Sequence, residues 1–171
     1  MKAVCERDAD VIYTDEAVFE SPDLHNIKSI RLKADFSQSL LETNNYVCHF
    51  TSFKKSLFDG LFFDSDCDGA QDFDVVLKLV ERTKKIFHIQ KCLYYWRASP
   101  ASTASGASAK PYTTLAGKRA LENHFRRIGE AATVMTTEVP NTYRIIYGDR
   151  SKISATPDMC MVKRLEPVFH S

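Results

Sequence analysis

The sequence lacks the marks of several protein classes. No run approaches the roughly 18 apolar residues that a membrane-spanning helix needs, so no span is expected. No basic run exceeds two residues, and 23 Lys+Arg stand against 22 Asp+Glu. Nothing in that balance suggests nucleic acid as a partner. The opening Met1-Lys-Ala-Val-Cys5 has no signal-peptide apolar core. Five cysteines are scattered, odd in number and without zinc-ligand spacing, as expected of free thiols in a reducing, cytoplasmic setting. Cys48 and Cys92 sit in apolar runs and read as small buried hydrophobes rather than catalytic thiols. There is no internal repeat.

What remains is a chain of 171 residues, long enough for one domain with a core. Asp10 to Thr14 reads as a short buried strand, and Ile27 to Lys33 as another. Ser37 is placed to cap a helix that turns Leu40 and Leu41 inward. Tyr46 to Phe50 is strand-like, and Phe53 to Phe58 suggests a helical turn or two. In the Asp- and Gly-rich loop that follows, Phe62 and Phe63 are too apolar to be left in water. From Gln71 to Thr83, Phe73, Val76, Leu77 and Val80 recur at helical spacing. Ile86–Ile89 and Cys92–Trp96 read as two strands around Gln90-Lys91. Ser99 to Ala109 reads as a loop. A second helix from Lys110 to Ile128 turns Leu115, Leu121 and Phe125 inward and ends at Gly129. Val134–Thr137 and Tyr143–Tyr147 form a closing strand pair, and 149–171 carries no period.

Alternating strands and helices predict an α/β chain with a mostly parallel or mixed sheet, whose ligand crevice lies beyond the strand ends. Asp15-Glu16, at the end of the first strand, could hold Mg²⁺ or Mn²⁺ against a phosphorylated ligand, or could be ordinary loop acids. Asp72 and Asp74 could simply complement a helix dipole, or Asp72 could act as a general base on a rigid element. Arg97, after Tyr94-Tyr95-Trp96, and Lys110 could neutralise a leaving group, or Arg97 could snorkel from a core strand. His88 reads as a core histidine or a metal ligand.

In order, Asp10-Val-Ile-Tyr-Thr-Asp-Glu-Ala17, Leu32-Lys-Ala-Asp-Phe-Ser37, Asn45-Tyr-Val-Cys-His-Phe50, Gly69-Ala-Gln-Asp-Phe-Asp-Val75, His88 to Arg97, Ser102-Thr-Ala104 and Ala116-Gly117 with Arg119-Ala-Leu121 resemble the family-2 glycosyltransferases of the GT-A fold. The nearest likeness is to bacterial rhamnan, O-antigen and related cell-surface polysaccharide synthases. It covers roughly Asp8 to Tyr147. The resemblance implies inverting transfer of a sugar from a nucleotide-diphospho-sugar to a saccharide hydroxyl. Asp72 would be the catalytic base. Asp15, Glu16, Arg97 and Lys110 would meet the diphosphate, Asp15 through Mg²⁺ or Mn²⁺, while Asn45, Tyr46 and Gln71 would line the acceptor site. Ala17 departs from the family pattern where a second Asp usually stands.

The resemblance begins after the family's nucleotide-binding half. The expectation is therefore a partial GT-A domain over 1–148, followed by an irregular tail over 149–171. A completing domain or a second copy would cover its apolar sheet edge. An inactive remnant that dimerises or binds a partner through that edge is the alternative.

Overall fold

The computed structural model describes residues 6, 8–20, 27–98 and 111–148. Among these are two sheets and three α-helices, a mixed α and β arrangement. Strand β1 (Val11–Glu20) is the organiser. Strand β4 (Ile86–Ala98) runs parallel to it along its whole length on one edge. On the other edge, β3 (Thr51–Phe53) pairs antiparallel with Val11–Tyr13, and β2 (Ile27–Arg31) pairs antiparallel with Glu16–Phe19. A separate hairpin joins β5 (Ala132–Thr136) to β6 (Tyr143–Tyr147).

Two sequence expectations fail in the same place. Strand β1 does not stop at Thr14 but continues through Asp15 and Glu16 to Glu20, so these acids lie inside the sheet rather than at a strand tip. Likewise β4 is one strand, not two. Its register against β1 jumps from Thr14↔Ile89 to Asp15↔Cys92 and then Glu16↔Tyr94. The additional residues of β4, among them Gln90 and Lys91, are absorbed as bulges rather than as a turn. A polar pair inside an apolar stretch looks like a break in sequence, while a bulge lets the ladder continue past it.

The short helix α1 (Gln38–Leu41) is capped as expected, the Ser37 hydroxyl accepting from Leu40 N–H at 3.3 Å. Residues 46–50 form no strand, and β3 follows them. Helix α2 (Gln71–Arg82) starts after Gly69, whose φ of +96° suits glycine. Its stripe of Phe73, Val76, Leu77 and Val80 enters the core with Tyr13, Leu41 and Val47. Helix α3 (Pro111–Ile128) presents Ala116, Ala120, Leu121 and Phe125 to the same core. Leu115 falls off this stripe and is 51% exposed, contrary to its expected inward place. Gly117 is needed because a Cβ there would lie 2.0 Å from the Tyr143 hydroxyl oxygen. Tyr143 stacks on Phe73 at 6.1 Å and Tyr147 meets Phe125 edge-on at 5.9 Å, so the hairpin seals the far side of the core.

Phe62 and Phe63 are exposed rather than tucked away, although Phe63 touches Phe58, which in turn touches Phe53. Among the described cysteines Cys67 is buried, while Cys48 and Cys92, expected to be buried, are partly exposed. A buried polar cluster ties the helices together. His124 Nδ1 lies 2.6 Å from Glu81 Oε1, Arg127 grips both Glu81 oxygens, and Glu42 accepts from Tyr147 and Gln38.

Candidate functional site

A cavity of about 600 Å³ opens between the sheet, the start of α2 and the hairpin. Its charged part is built on Glu16. That carboxylate is 1% exposed, a cost tolerated only with partners. Glu16 Oε1 accepts from Arg31 at 3.1 Å, and Oε2 accepts the His49 main-chain N–H at 3.1 Å, with the His49 ring nitrogen at 2.9 Å. Lys33 Nζ lies 3.9 Å from the same oxygen. Burial opposes ionisation of Glu16, yet the His49 hydrogen bonds and the Lys33 charge hold its carboxyl down at about 2. Lys33 is itself buried, which lowers its ammonium, and it donates to the carbonyls of Val47 and Cys48. Trp96 of β4 backs this group, with His49 stacked on it at 4.8 Å and the Arg31 guanidinium 5.0 Å from the ring centre.

Asp15 is held apart from that cluster. Its Oδ1 accepts Lys33 N–H at 2.9 Å and lies 2.8 Å from His88 Nε2. His88 is a core histidine, stacked on Tyr13 at 4.7 Å, and its Nδ1 reaches Asp35 at 3.2 Å.

Asp72 enters the cavity from the first turn of α2, beside Gly69 and Ala70. It is exposed, and its Oδ1 accepts Phe73 N–H at 2.8 Å. Two neighbours place it between cavity walls. Burial and then the Asp72 charge push the Cys48 thiol far up, and the same pair of causes pushes the Tyr143 phenol up to about 12. Asp74, by contrast, points into the core, where Lys78 Nζ meets it at 2.5 Å.

The structure thus brings Glu16, Asn45, Tyr46 and Asp72 to one cavity. Asp15, Gln71 and Arg97 are not among its lining residues. Gln71 instead closes the glycine turn, its Oε1 accepting Gly69 N–H at 2.8 Å, and Arg97 is exposed on β4 opposite Phe19. Lys110 lies outside the described residues, as do the loop around Ser102-Thr103 and the stretch 149–171. Sequence reasoning missed Arg31, Lys33, His49, Cys48 and the hairpin residues Asn141 and Tyr143. Only Arg31 and Lys33 carried a signal, being cations two apart on a strand and its extension.

The residues do not fit a Mg²⁺ or Mn²⁺ site as arranged. Both Glu16 oxygens are taken by cations and N–H donors, Asp15 is turned to His88, and Ala17 offers no ligand. Among the described residues no three His, Cys, Asp or Glu groups converge as metal ligands.

No family model matches the chain. It is 38% identical over 148 residues to protein y4gI of Sinorhizobium fredii, covering 82% of this chain and 16% of that protein. It is also 35% identical over 156 residues to the O-antigen biosynthesis protein RfbC of Myxococcus xanthus, covering 89% of this chain and 12% of that one. The chain therefore spans less than a fifth of the length of the curated relatives it matches. No helix among the described residues is long and apolar enough to cross a membrane.

Proposed function

We propose that this chain carries the acceptor-side wall and catalytic base of an inverting glycosyltransferase of GT-A type, acting in cell-surface polysaccharide synthesis. The observation that carries the reading is the cavity that Asp72 shares with the Glu16, Arg31 and Lys33 cluster. The likeness to an O-antigen biosynthesis protein supports the polysaccharide setting. In the reaction, an acceptor hydroxyl oxygen bonds to the anomeric carbon of the donor sugar. Its proton passes to Asp72. The bond from that carbon to the diphosphate breaks, and the nucleoside diphosphate leaves with the electron pair. Arg31 supplies cationic charge beside the leaving group, half of its side chain remaining open to solvent. Asn45 and Tyr46 bind the acceptor.

Calorimetric titration tests this. The folded chain, given a panel of nucleotide-diphospho-sugars and methyl glycosides with and without Mn²⁺, is expected to release or absorb heat with at least one of them. A panel without heat would remove the sugar-transfer reading.

The alternative, a module that dimerises or binds a partner, is favoured by one observation. Among the described residues β4 pairs only with β1, and its Leu93 and Tyr95 are exposed. A sedimentation run showing a stable dimer, lost on Leu93→Lys, would support it. A monomer at all concentrations would sink it.

A further inference from the structure

Three adjacent strands build the charged end of the cavity. Arg31 of β2 stands directly across from Glu16 of β1, and its Nη1 donates to Glu16 Oε1 at 3.1 Å. The guanidinium also reaches over β1 to Trp96 of β4, lying 5.0 Å from the ring centre. It is therefore seated at two points, on a carboxylate and on an aromatic face. About half of the Arg31 side chain remains open, and it lines the cavity. Lys33 is the other Arg or Lys of the lining. It is buried, and its ammonium is spent on the Val47 and Cys48 carbonyls. Arg31 is thus the cation that a ligand can reach.

The carboxylates beside it are closed to a divalent cation for a reason that side-chain rotation does not remove. Glu16 Oε2 accepts the His49 main-chain N–H at 3.1 Å, and Asp15 Oδ1 accepts the Lys33 main-chain N–H at 2.9 Å. A main-chain donor cannot swing aside as a lysine or arginine tip can. If a cation took these oxygens, both N–H groups would lose their partners in a buried setting. Asp15 and Glu16 are themselves buried, whereas a cation shared with a ligand phosphate needs carboxylate oxygens open toward that ligand.

We infer that a diphosphate group binds in this cavity without a divalent cation, on an Arg31 guanidinium that Glu16 and Trp96 hold in place. A planar guanidinium presents paired N–H groups that match two phosphate oxygens, so it orients the anion as well as neutralising it. Its seat adds to this, because a side chain already ordered by its neighbours loses less freedom on binding. Glu16 and Trp96 are positioning residues: they touch Arg31, not the ligand. The inference rests on the sugar-transfer reading, in which the diphosphate is the leaving group. It departs from the Mg²⁺ or Mn²⁺ that the family resemblance implies.

The chain has one tryptophan, and the Arg31 guanidinium lies over its ring, so tryptophan fluorescence reads this site directly. The test titrates the full chain with uridine, guanosine and thymidine diphosphates and with inorganic pyrophosphate, once in EDTA and once in Mg²⁺. At least one diphosphate is expected to change the emission saturably, with Kd values that agree within about twofold in the two media. Arg31→Gln alters a half-open side chain. It is expected to keep the wild-type circular dichroism and to weaken binding by about tenfold or more in both media. Arg31→Lys keeps the charge but neither forks nor stacks as arginine does, and should lose most of the same affinity. Binding that appears only with Mg²⁺, or an Arg31→Gln chain that binds as the wild type does, would overturn the cation-free site and leave the sugar-transfer reading standing. An Arg31→Lys chain that binds as the wild type does would overturn the held guanidinium. If no diphosphate changes the emission or gives heat in either medium, the sugar-transfer reading itself falls, and this inference with it.

Discussion

Replacing Glu16 by glutamine removes the charge around which the cavity's cationic part is organised. Taking one partner from a buried ion pair costs about 3–5 kcal/mol when the other is stranded. Of the three side chains that meet Glu16, Arg31 and His49 reach solvent, 48% and 36% exposed, and only Lys33, at 5%, would be left as a buried charge. Lys33 also keeps its two carbonyl acceptors. The expected cost is therefore reduced to about 2–3 kcal/mol, and at about 2–4 °C per kcal/mol for a domain of this size the midpoint should fall by about 4–12 °C.

The pH dependence sharpens the test. The folded-state value of Glu16, about 2, lies below its ordinary 4.5. Its contribution is thus fully present above the ordinary value and is lost as pH falls through the folded one. Melting followed by circular dichroism should show a gap between wild type and Glu16→Gln that is widest at neutral pH. The gap should narrow from about pH 4.5 downward and close near pH 2. A variant that melts within about 1 °C of the wild type at pH 7, or a gap that ignores pH, would refute the reasoning.

The helix-joining cluster should titrate in both directions. His124 is raised above 6.5: burial opposes its charge, but Glu42 and Glu81 outweigh it, so its share of stability is complete below that pH and lost as pH rises. Burial opposes the charges of Glu42 and Glu81, yet their hydrogen bonds to His124 lead in lowering both, so their share is complete above 4.5 and lost as pH falls below it. Urea unfolding should find this cluster most stabilising between those values, and His124→Leu should flatten the alkaline loss while costing roughly 3 kcal/mol near pH 5.5. Gly117→Ala should destabilise by about 1–3 kcal/mol through the collision with the Tyr143 hydroxyl, and Tyr143→Phe in the same chain should return part of that loss. Equal melting of Gly117→Ala and wild type would show that the hairpin shifts freely.

The helices and the closing hairpin were legible because their determinants are local. The stripe from Phe73 to Val80, the glycines at 69 and 129 and the alternation through Tyr143–Tyr147 each declare themselves within a dozen residues. The first strand was misread at the two acids that build the cavity's surroundings. What keeps Asp15 and Glu16 inside a sheet is Arg31, Lys33, His49 and His88, between 15 and 73 residues away, and no local pattern announces such partners. Asp72 was found because a carboxylate at a helix start after a glycine turn is a local signal. Asn141 was not, since its place in the cavity depends on how the hairpin docks on α3. Phe62 and Phe63 show the opposite failure: apolarity alone implies burial, yet both side chains stand in solvent.

The direct test of the central claim is sugar transfer by the wild-type and Asp72→Asn proteins, using a donor and acceptor that titration shows to bind. Asp72 is exposed at the helix start, so the substitution should cost no more than about 1 kcal/mol of dipole interaction and leave binding nearly intact. Turnover at saturating ligands is expected to fall by about 10²–10⁴. Undiminished turnover in Asp72→Asn, with both ligands bound as in the wild type, would contradict the account.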